Sequence, residues 1–375
     1  MLRSVLFVLI SWGLLGDVMA SEASPARKCM VGVVDVGSTG SRLHVYAYDC
    51  DHKIEGANEV WFNRITPGYA SLESKQSVID TYLKNLFDGA PEHIPVHFYA
   101  TAGMRLLPYD QQITYYSAAH HWFDASAWNL IDAKTITGRE EGVFAWLAVN
   151  HERNILPGGV HEEVGVMDMG GASVQIVAPV ASSDGINPDD LVHVEVEHED
   201  ITLFVRSFLG LGATLVGQQF LNSPACFPEG YPLPDGSIGH GDAEHCDEAV
   251  SQLINQVHAV NKTIQPVLSV ASPKTWYVLG GLAYLLKEEP FRRDGLGATN
   301  AWLLEQANNT VCRRLWPDLL IDYPDNERLS QSCLRASYYH ALMEKGYGLD
   351  SEKSIYLTSN DEETDWTLGV VLHQH

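Results

Sequence analysis

Two segments of the chain combine an aspartate, glycines and hydroxyl side chains in the same order. In residues 31–49, VGVVDVGSTGSRLHVYAYD, an apolar run reaches Asp35, a turn with two glycines and three hydroxyls follows, and an alternating run comes next. This pattern predicts a strand, a tight turn and a second strand. Such a turn can direct backbone N–H groups and hydroxyls toward a bound anion, and Asp35 is placed to hold a cation beside it. The candidate anion-binding residues are Ser38, Thr39, Gly40 and Ser41.

The second segment, residues 164–180, reads VGVMDMGGASVQIVAPV. Its apolar run reaches Asp168, a glycine-containing turn follows, and a second apolar run begins after Ser173. One such hairpin would be weak support for phosphate binding, but a pair predicts two similar lobes that face each other across a phosphate. The candidate anion-binding residues of this turn are Gly170, Gly171, Ala172 and Ser173.

Two further segments carry polar residues at the predicted end of a strand or start of a helix. A short strand at residues 96–100 leads into ATAGMRLL, where Thr101 follows the strand end; taken alone, this is an ordinary strand-to-helix turn. In ITGREEGVFAW, Glu140 and Glu141 lie in the first turn of a predicted helix. The helix dipole favours acidic residues there, and only one of the two can point toward the strand-end turns.

Composition limits the classes of function. The 375 residues are enough for two domains, and the 45% of hydrophobic residues are enough for a core in each. The formal net charge of −24 argues against nucleic-acid binding through a basic surface. A phosphate ligand would also be repelled by this charge, so local N–H groups and a divalent cation would have to hold it.

The first 20 residues predict export. Arg3 precedes an apolar stretch at residues 5–15, and Val18-Met19-Ala20 fits a cleavage site for a secretory signal peptide. A membrane anchor is the alternative, but the stretch is shorter than the ~20 residues that span a bilayer. We expect cleavage after Ala20, no membrane span in the mature chain, and a secreted or periplasmic location.

Six cysteines follow the predicted signal peptide, an even number that favours disulfides in an exported chain. Fifteen pairings are available in principle, and the order along the chain favours sequential ones. A zinc site is the alternative, but no CxxC-type spacing occurs. The expected pairs are Cys29–Cys50, Cys226–Cys246 and Cys312–Cys333.

Five segments together resemble the motifs of the apyrase family, the nucleoside triphosphate diphosphohydrolases. They are DVGSTGSR, ATAGMRLL, TGREEGVFAW, DMGGASVQ and, more loosely, YVLGGLAY with the terminal DWTLG. The resemblance spans residues 31–373. It implies an α/β fold of two ribonuclease-H-like lobes, as in the superfamily of actin, sugar kinases and heat-shock ATPases, with an active-site cleft between them. We expect lobe I to comprise residues 29–137 and 358–375, and lobe II residues 138–357.

The resemblance also implies roles for individual residues. Glu141 is expected to activate the attacking water, and the two turns are expected to bind phosphate. Asp35 and Asp168 would hold a divalent cation through its waters, assisted by Thr101 and Gln175. Such oxygen-only donors suit hard cations, namely Mg²⁺, Ca²⁺ or Mn²⁺.

The implied activity is hydrolysis of the terminal phosphates of nucleoside tri- and diphosphates by a monomeric protein. An exopolyphosphatase of the same superfamily is the closest alternative, and its substrate lacks a base. A catalytically idle nucleotide-binding protein is a second alternative. The presence of Glu141 together with Asp35 and Asp168 argues against the idle protein.

Overall fold

The computed structural model describes residues 27–51, 57–153, 164–196, 199–271, 273–293, 297–358 and 364–373. Their backbone forms two β-sheets with helices packed against them. The predicted α/β class is confirmed.

The first sheet has five strands in the order β3-β2-β1-β4-β5. Strands β3, β2 and β1 are antiparallel, and β4 and β5 continue the sheet in parallel with β1. The strands are β1 (Lys28–Val36), β2 (Ser41–Asp49), β3 (Asn58–Ile65), β4 (Pro95–Ala100) and β5 (Asn129–Thr135).

Three helices accompany this sheet: α1 (Gln76–Leu86), α2 (Ala102–Arg105) and α3 (Tyr109–Asp124). Helices α1 and α3 cover one face and bury an aromatic-rich core around Tyr69, Phe87 and Phe98. The opposite face carries Val33 and Tyr46 into a second core, which is shared with the other sheet.

The second sheet has seven strands in the order β11-β12-β10-β6-β7-β9-β8. The alternating pattern of residues 191–205 predicts a single strand, but two segments of this range pair antiparallel, with Val194 opposite Ile201, and form a hairpin. The strands are β6 (Val164–Met169), β7 (Ser173–Pro179), β8 (Leu191–Val196), β9 (Glu199–Leu209), β10 (Thr275–Gly280), β11 (Ala298–Thr299) and β12 (Ser354–Leu357).

The described residues form nine further α-helices. They are α4 (Gly138–Glu152), α5 (Ala213–Gln219), α6 (Ala243–Gln252), α7 (Val260–Leu268), α8 (Gly281–Lys287), α9 (Asn300–Ala307), α10 (Trp316–Asp322), α11 (Ser332–His340) and α12 (Trp366–His373). The spacing of apolar residues over 298–315 and 330–345 predicts two helices, and the structure has α9 and α11 there. Each then continues in a wider π-helical turn, Asn308–Cys312 and Ala341–Gly346.

Helices α4 and α12 pack against each other between the two sheets. They approach closely at Gly369, where a Cβ would lie 2.0 Å from the carbonyl oxygen of Phe144, so only glycine fits. Trp366 stacks on Phe144 with ring centroids 6.3 Å apart. On the other side of α12, the Thr367 hydroxyl bonds the Tyr46 hydroxyl of β2 at 2.8 Å. The residue bounds of the two lobes stay a prediction.

The two predicted strand-turn-strand units occupy equivalent places in the two sheets. Asp35 of β1 pairs with Arg42 of β2, and Asp168 of β6 pairs with Gln175 of β7. The other edges of β1 and β6 bear the parallel strands β4 and β10. Both aspartates therefore lie near the carboxyl end of a central strand.

Among the described residues, no helix combines the length and the apolar character needed to cross a membrane. The predicted signal peptide lies outside the described residues.

The three predicted disulfides are confirmed. Cys29–Cys50 closes the outer end of the β1–β2 hairpin, Cys226–Cys246 pins the loop before α6, and Cys312–Cys333 joins the end of the α9 segment to α11. The cysteines of each bridge are 20 or 21 positions apart.

Replacing both Cys226 and Cys246 by alanine should lower the free energy of unfolding by about 3 kcal/mol. Closing a loop of this length restricts the unfolded chain by about that amount. Denaturant unfolding of the double variant and of the oxidised wild type measures the difference. Equal midpoints in the two proteins would contradict the expected contribution of this bridge.

Candidate active site

A cleft of about 570 Å³ opens between the two sheets. Its floor is formed by the ends of β1, β4, β6 and β10, where Asp35, Thr101, Asp168 and Gly280 lie. Both predicted anion-binding turns reach this cleft.

The two turns face each other at short distance. A Cβ at Gly171 would lie 2.8 Å from the hydroxyl oxygen of Ser38 and 3.0 Å from the methyl carbon of Thr39. Glycine at this position therefore lets the second turn approach the first. The N-terminus of α5 holds the second turn, because the Thr214 N–H donates to the Gly171 carbonyl oxygen at 2.9 Å.

The structure places most of the predicted anion-binding residues along the cleft. The lining residues among them are Ser38, Thr39, Gly170, Gly171, Ala172 and Ser173. Gly40 does not line the cleft, since it packs beside Ile65 at the end of β3.

Ser41 also lies outside the cleft, because β2 begins at this residue. Its side chain is fully buried, and its hydroxyl oxygen accepts a hydrogen bond from the Tyr82 hydroxyl of α1 at 3.0 Å. Successive side chains of a strand point to opposite faces, so the next residue, Arg42, is the one directed to the Asp35 side.

Helix α4 separates the roles of its two adjacent glutamates. Thr137 caps the helix by accepting from the Glu140 N–H at 3.1 Å, and the Glu140 carboxylate accepts from the Thr137 N–H at 2.7 Å. This capping box explains Glu140 as a helix-start residue. Glu141 points the other way, into the cleft, where it is 6% exposed.

Arg105 and Gln175 fix the carboxylate of Glu141. The Oε2 atom of Glu141 accepts from Arg105 Nη2 at 2.8 Å and from Gln175 Nε2 at 3.0 Å. The same Arg105 nitrogen donates to the Ser173 hydroxyl at 2.8 Å. One guanidinium at the end of α2 therefore links the helix start that carries Glu141 to the second turn.

The structure places Gln175 behind Glu141 and not on the wall of the cleft. Its side chain is fully buried, and its amide nitrogen also donates to Ser173 and Ser207. Its amide oxygen has no partner among the described residues. Thr101 lines the cleft at the N-cap of α2.

Asp35 and Asp168 are both almost fully buried. Burial raises the pKa of Asp35 to about 7, although the Arg42 guanidinium 2.7 Å away opposes this shift. Burial also raises the pKa of Asp168 well above its usual range, and the negative charges of Glu141, Asp365 and Asp35 add to the increase. Both shifts follow first from burial, and neighbouring carboxylates add to them.

The same buried surroundings also shift the pKa of Glu141. Burial raises its pKa, the Arg105 guanidinium lowers it, and the Asp365 carboxylate raises it further. A buried carboxylate with a raised pKa is a stronger base than a solvated one.

Sequence reasoning missed Asp365 as a carboxylate of the cleft. It caps α12 by accepting from the Thr367 N–H at 2.9 Å, and its other oxygen lies 3.6 Å from Nε2 of the buried His44. The DWTLG segment contains Asp365, but an aspartate before a helix is common and gives no signal of its own. Trp366 itself lines the cleft beside it.

One wall of the cleft also went unpredicted. It bears the Tyr284 ring and two arginines, Arg328 and Arg335. Glu288 holds both arginines with its two carboxylate oxygens, at 3.0 Å and 3.2 Å. The Arg328 guanidinium lies 5.8 Å from the centre of the Tyr284 ring.

The donor set of the cleft suits a hard cation. Oδ1 of Asp35 is buried without a hydrogen-bond partner among the described residues, and Asp168 faces it from the second sheet. No three His, Cys, Asp or Glu side chains within the described ranges are grouped so that they could hold a metal ion directly. The unpartnered Oδ1 of Asp35 fits a cation held through waters and ligand oxygens.

Asp168→Asn should stabilise the metal-free protein increasingly as the pH rises above about 4, the pKa of an unfolded aspartate. The folded-state pKa of Asp168 is raised, so the stability linked to its protonation is present at low pH and is lost as pH rises through that folded-state pKa. The neutral amide of the Asp168→Asn variant does not ionise, so the variant avoids this loss of stability. In a chain of 375 residues, each kcal/mol retained should raise the Tm by about 1 °C.

Thermal unfolding in chelator between pH 4 and pH 8 measures this effect. Asp189→Asn is the control, since Asp189 is exposed and lies away from the cleft. A constant Tm difference between Asp168→Asn and wild type across this range would contradict the argument.

Comparison with known proteins places this geometry in a family. Residues 22–225, more than half of the chain, match the GDA1/CD39 (nucleoside phosphatase) family. The chain is 26% identical to nucleoside-triphosphatase ntp-1 of Caenorhabditis elegans over 400 residues, which cover 91% of this chain and 72% of that protein. It is 24% identical to the guanosine-diphosphatase of Schizosaccharomyces pombe, with 95% and 75% of the two chains covered.

Solved structures of similar fold include a nucleoside triphosphate hydrolase from Neospora caninum, with a TM-score of 0.61 and 15% identity over 92% of each chain. A Ppx/GppA phosphatase of Aquifex aeolicus gives a TM-score of 0.55 and 14% identity over 92% of this chain and 98% of that one. These likenesses confirm the predicted fold, that of the actin-like ATPases. The chain belongs to the GDA1/CD39 (nucleoside phosphatase) family, as the resemblance of its five segments predicted.

Proposed function

We propose that this protein hydrolyses the terminal phosphate of nucleoside tri- and diphosphates, and that Glu141 activates the attacking water. The observation that carries the proposal is the position of Glu141, whose buried carboxylate shares one cleft with two facing hydroxyl-rich turns and two aspartates. Membership of a nucleoside phosphatase family supports the substrate class.

The two turns would hold the phosphate chain. Hydrolysis of a terminal phosphate passes through a loose transition state, so catalysis depends on positioning and on neutralising negative charge. Backbone N–H groups of both turns and the hydroxyls of Ser38, Thr39 and Ser173 supply neutral donors for this purpose. The short distance between Gly171 and Ser38 would let one phosphate contact both turns.

Glu141 would take the proton of the attacking water. Its Oε2 atom is held by Arg105 and Gln175, which leaves Oε1 to accept the proton. As the water oxygen forms its bond to phosphorus, the bond to the leaving phosphate oxygen breaks, and the proton resides on Glu141. The raised pKa of this carboxyl brings its basicity closer to that required near neutral pH.

Asp35 and Asp168 would hold a divalent cation, Mg²⁺, Ca²⁺ or Mn²⁺, through its waters, with Thr101 and Gln175 assisting. The unpartnered Oδ1 of Asp35 is available for such a contact, whereas Gln175 would assist through Glu141 and Ser173, which its amide nitrogen holds. When bound, such a cation supplies positive charge to the phosphate oxygens. Arg42 would favour the ionised form of Asp35 through the 2.7 Å ion pair, against the effect of burial.

The wall with Tyr284 and Arg328 favours a nucleotide over a polyphosphate. An aromatic ring and a planar guanidinium offer surfaces on which a base can stack, which a polyphosphate would not use. Phosphate release from nucleoside triphosphates, diphosphates and inorganic polyphosphate distinguishes the two functions. Faster release from polyphosphate than from any nucleotide would favour the exopolyphosphatase alternative.

We also propose that the protein is exported, to a secreted or periplasmic location. Three disulfides persist best in an oxidising compartment, and the predicted cleavage after Ala20 agrees with export.

Glu141→Gln should reduce turnover by about 10² to 10⁴ and leave nucleotide binding intact, because the amide keeps the shape of the side chain and cannot accept the proton. Steady-state kinetics and calorimetric binding of a non-hydrolysable nucleotide measure the two properties. Glu140→Gln is the matched control, since a glutamine also completes the capping box and turnover should persist. Near-normal turnover in Glu141→Gln would overturn the assignment.

Activity should disappear in EDTA and return with Mg²⁺ or Ca²⁺. Metal should bind weakly to the free protein and more tightly with a non-hydrolysable nucleotide, since the nucleotide completes the coordination. Titration calorimetry of metal into the protein with and without that nucleotide tests this. Full activity in EDTA, or tight metal binding without nucleotide, would contradict the role of the two aspartates.

A further inference from the structure

We propose that Arg64 of β3 is an additional phosphate-chain binding residue, whose guanidinium helps to select ligands with a multiply charged phosphate tail. The inference rests on the proposed function. It assigns a contact to a side chain outside both anion-binding turns.

Strand register directs Arg64 toward the cleft. Asp35, Arg42 and Arg64 are direct neighbours across β1, β2 and β3, so their side chains emerge from the same face of the sheet. Arg42 extends along this face to Asp35 at 2.7 Å. Arg64 is partly exposed and lines the cleft at the outer end of the row.

Arg64 differs from the other arginines of the cleft wall in its lack of a carboxylate partner. Arg42, Arg328 and Arg335 also line the cleft, and each is ion-paired with Asp35 or Glu288 at 2.7–3.2 Å. Arg64 forms no ion pair or side-chain hydrogen bond with any described residue. Its full positive charge is therefore available to a ligand.

The position of Arg64 opposite Arg42 also makes the protein without a bound anion less favourable. Like charges directly opposite on neighbouring antiparallel strands destabilise the pair. Arg42 is neutralised by Asp35, but Arg64 faces it without an anion of its own. A bound phosphate group would supply that anion.

The end of β3 also touches the first turn. A Cβ at Gly40 would lie 2.7 Å from the carbonyl oxygen of Ile65, the residue after Arg64. Thr66 continues from β3 along the cleft, and its methyl carbon would lie 3.3 Å from a Cβ at Gly40 of the turn. A guanidinium rooted here can donate two parallel hydrogen bonds to a phosphate that the turn holds.

The chemistry required of the ligand is a polyanionic phosphate tail. The cleft holds several buried carboxylates in a chain of net charge −24, so each added phosphate charge needs a local cation. Arg64 supplies such a cation without metal, on the side of the cleft formed by the first sheet.

The test compares Arg64→Gln and Arg64→Lys with wild type. Binding of a non-hydrolysable nucleoside triphosphate in Mg²⁺ is measured by calorimetry at two ionic strengths, and kcat/KM is measured with the hydrolysable triphosphate. Arg64→Gln should lose about 10- to 100-fold in both affinity and kcat/KM, as expected for one charge-assisted contact. Its affinity should also depend less on salt. Arg64→Lys should recover part of the affinity and of kcat/KM, because lysine keeps the positive charge but cannot donate two parallel hydrogen bonds as a guanidinium does.

Arg313→Gln is the control. Arg313 is 58% exposed, pairs with Glu244 and lies outside the cleft, so its removal should change neither binding nor turnover. The Tm of Arg64→Gln should equal or exceed that of wild type, since the substitution breaks no ion pair and relieves repulsion with Arg42. A Tm lowered in parallel with affinity, without recovery in Arg64→Lys, would assign Arg64 a structural role and overturn the inference.

The outcomes separate the two proposals. Wild-type turnover with unchanged affinity and kcat/KM in Arg64→Gln would overturn the role of Arg64 and leave the proposed function standing. A wild-type protein that neither binds nor hydrolyses nucleotide would overturn the proposed function and this inference together.

Discussion

Mutual repulsion among buried carboxylates is the constraint on which the cleft depends. Asp35, Glu141 and Asp168 are each at most 7% exposed, and Asp365 adds a fourth negative charge at their side. Removing such charges from water is costly unless a partner compensates. Arg42 compensates Asp35 and Arg105 compensates Glu141, whereas no ion pair with Asp168 occurs among the described residues. The uncompensated Asp168 therefore contributes an unfavourable electrostatic free energy, which a bound cation would reduce.

The architecture around the cleft holds these charges at fixed positions. The Thr137 cap sets where α4 begins, and the helix then points Glu141 and not Glu140 at the two turns. Arg105 fixes the same carboxylate from α2, at the end of β4. Each ionic side chain of the site is thus positioned by the end of a regular element, where backbone geometry is well determined by the sheet or helix behind it.

The sequence predicted the features that depend on local pattern. The strand-turn-strand units around Asp35 and Asp168, the disulfide pairs and the start of α4 follow from periodicity, spacing and capping residues. Ser41 shows the limit of this reasoning: a difference of one residue in where β2 begins turns its hydroxyl away from the cleft and toward Tyr82. Arg64 and Asp365 gave no signal, because a single arginine in an alternating strand or an aspartate before a helix is common on protein surfaces. Their roles depend on neighbours in the tertiary structure, which a local sequence pattern does not show.

The contact between α4 and α12 also has a consequence for the order of folding. Tyr46 and Thr367 meet although 321 positions separate them, and Gly369 packs against Phe144 at the centre of the molecule. The β1–β2 hairpin depends on local contacts, whereas the core between the sheets requires contacts across this long separation, which form more slowly. The carboxylates of the cleft should therefore stay hydrated in early folding states. Their desolvation should then accompany the docking of α12, whose hydrophobic contacts offset its cost.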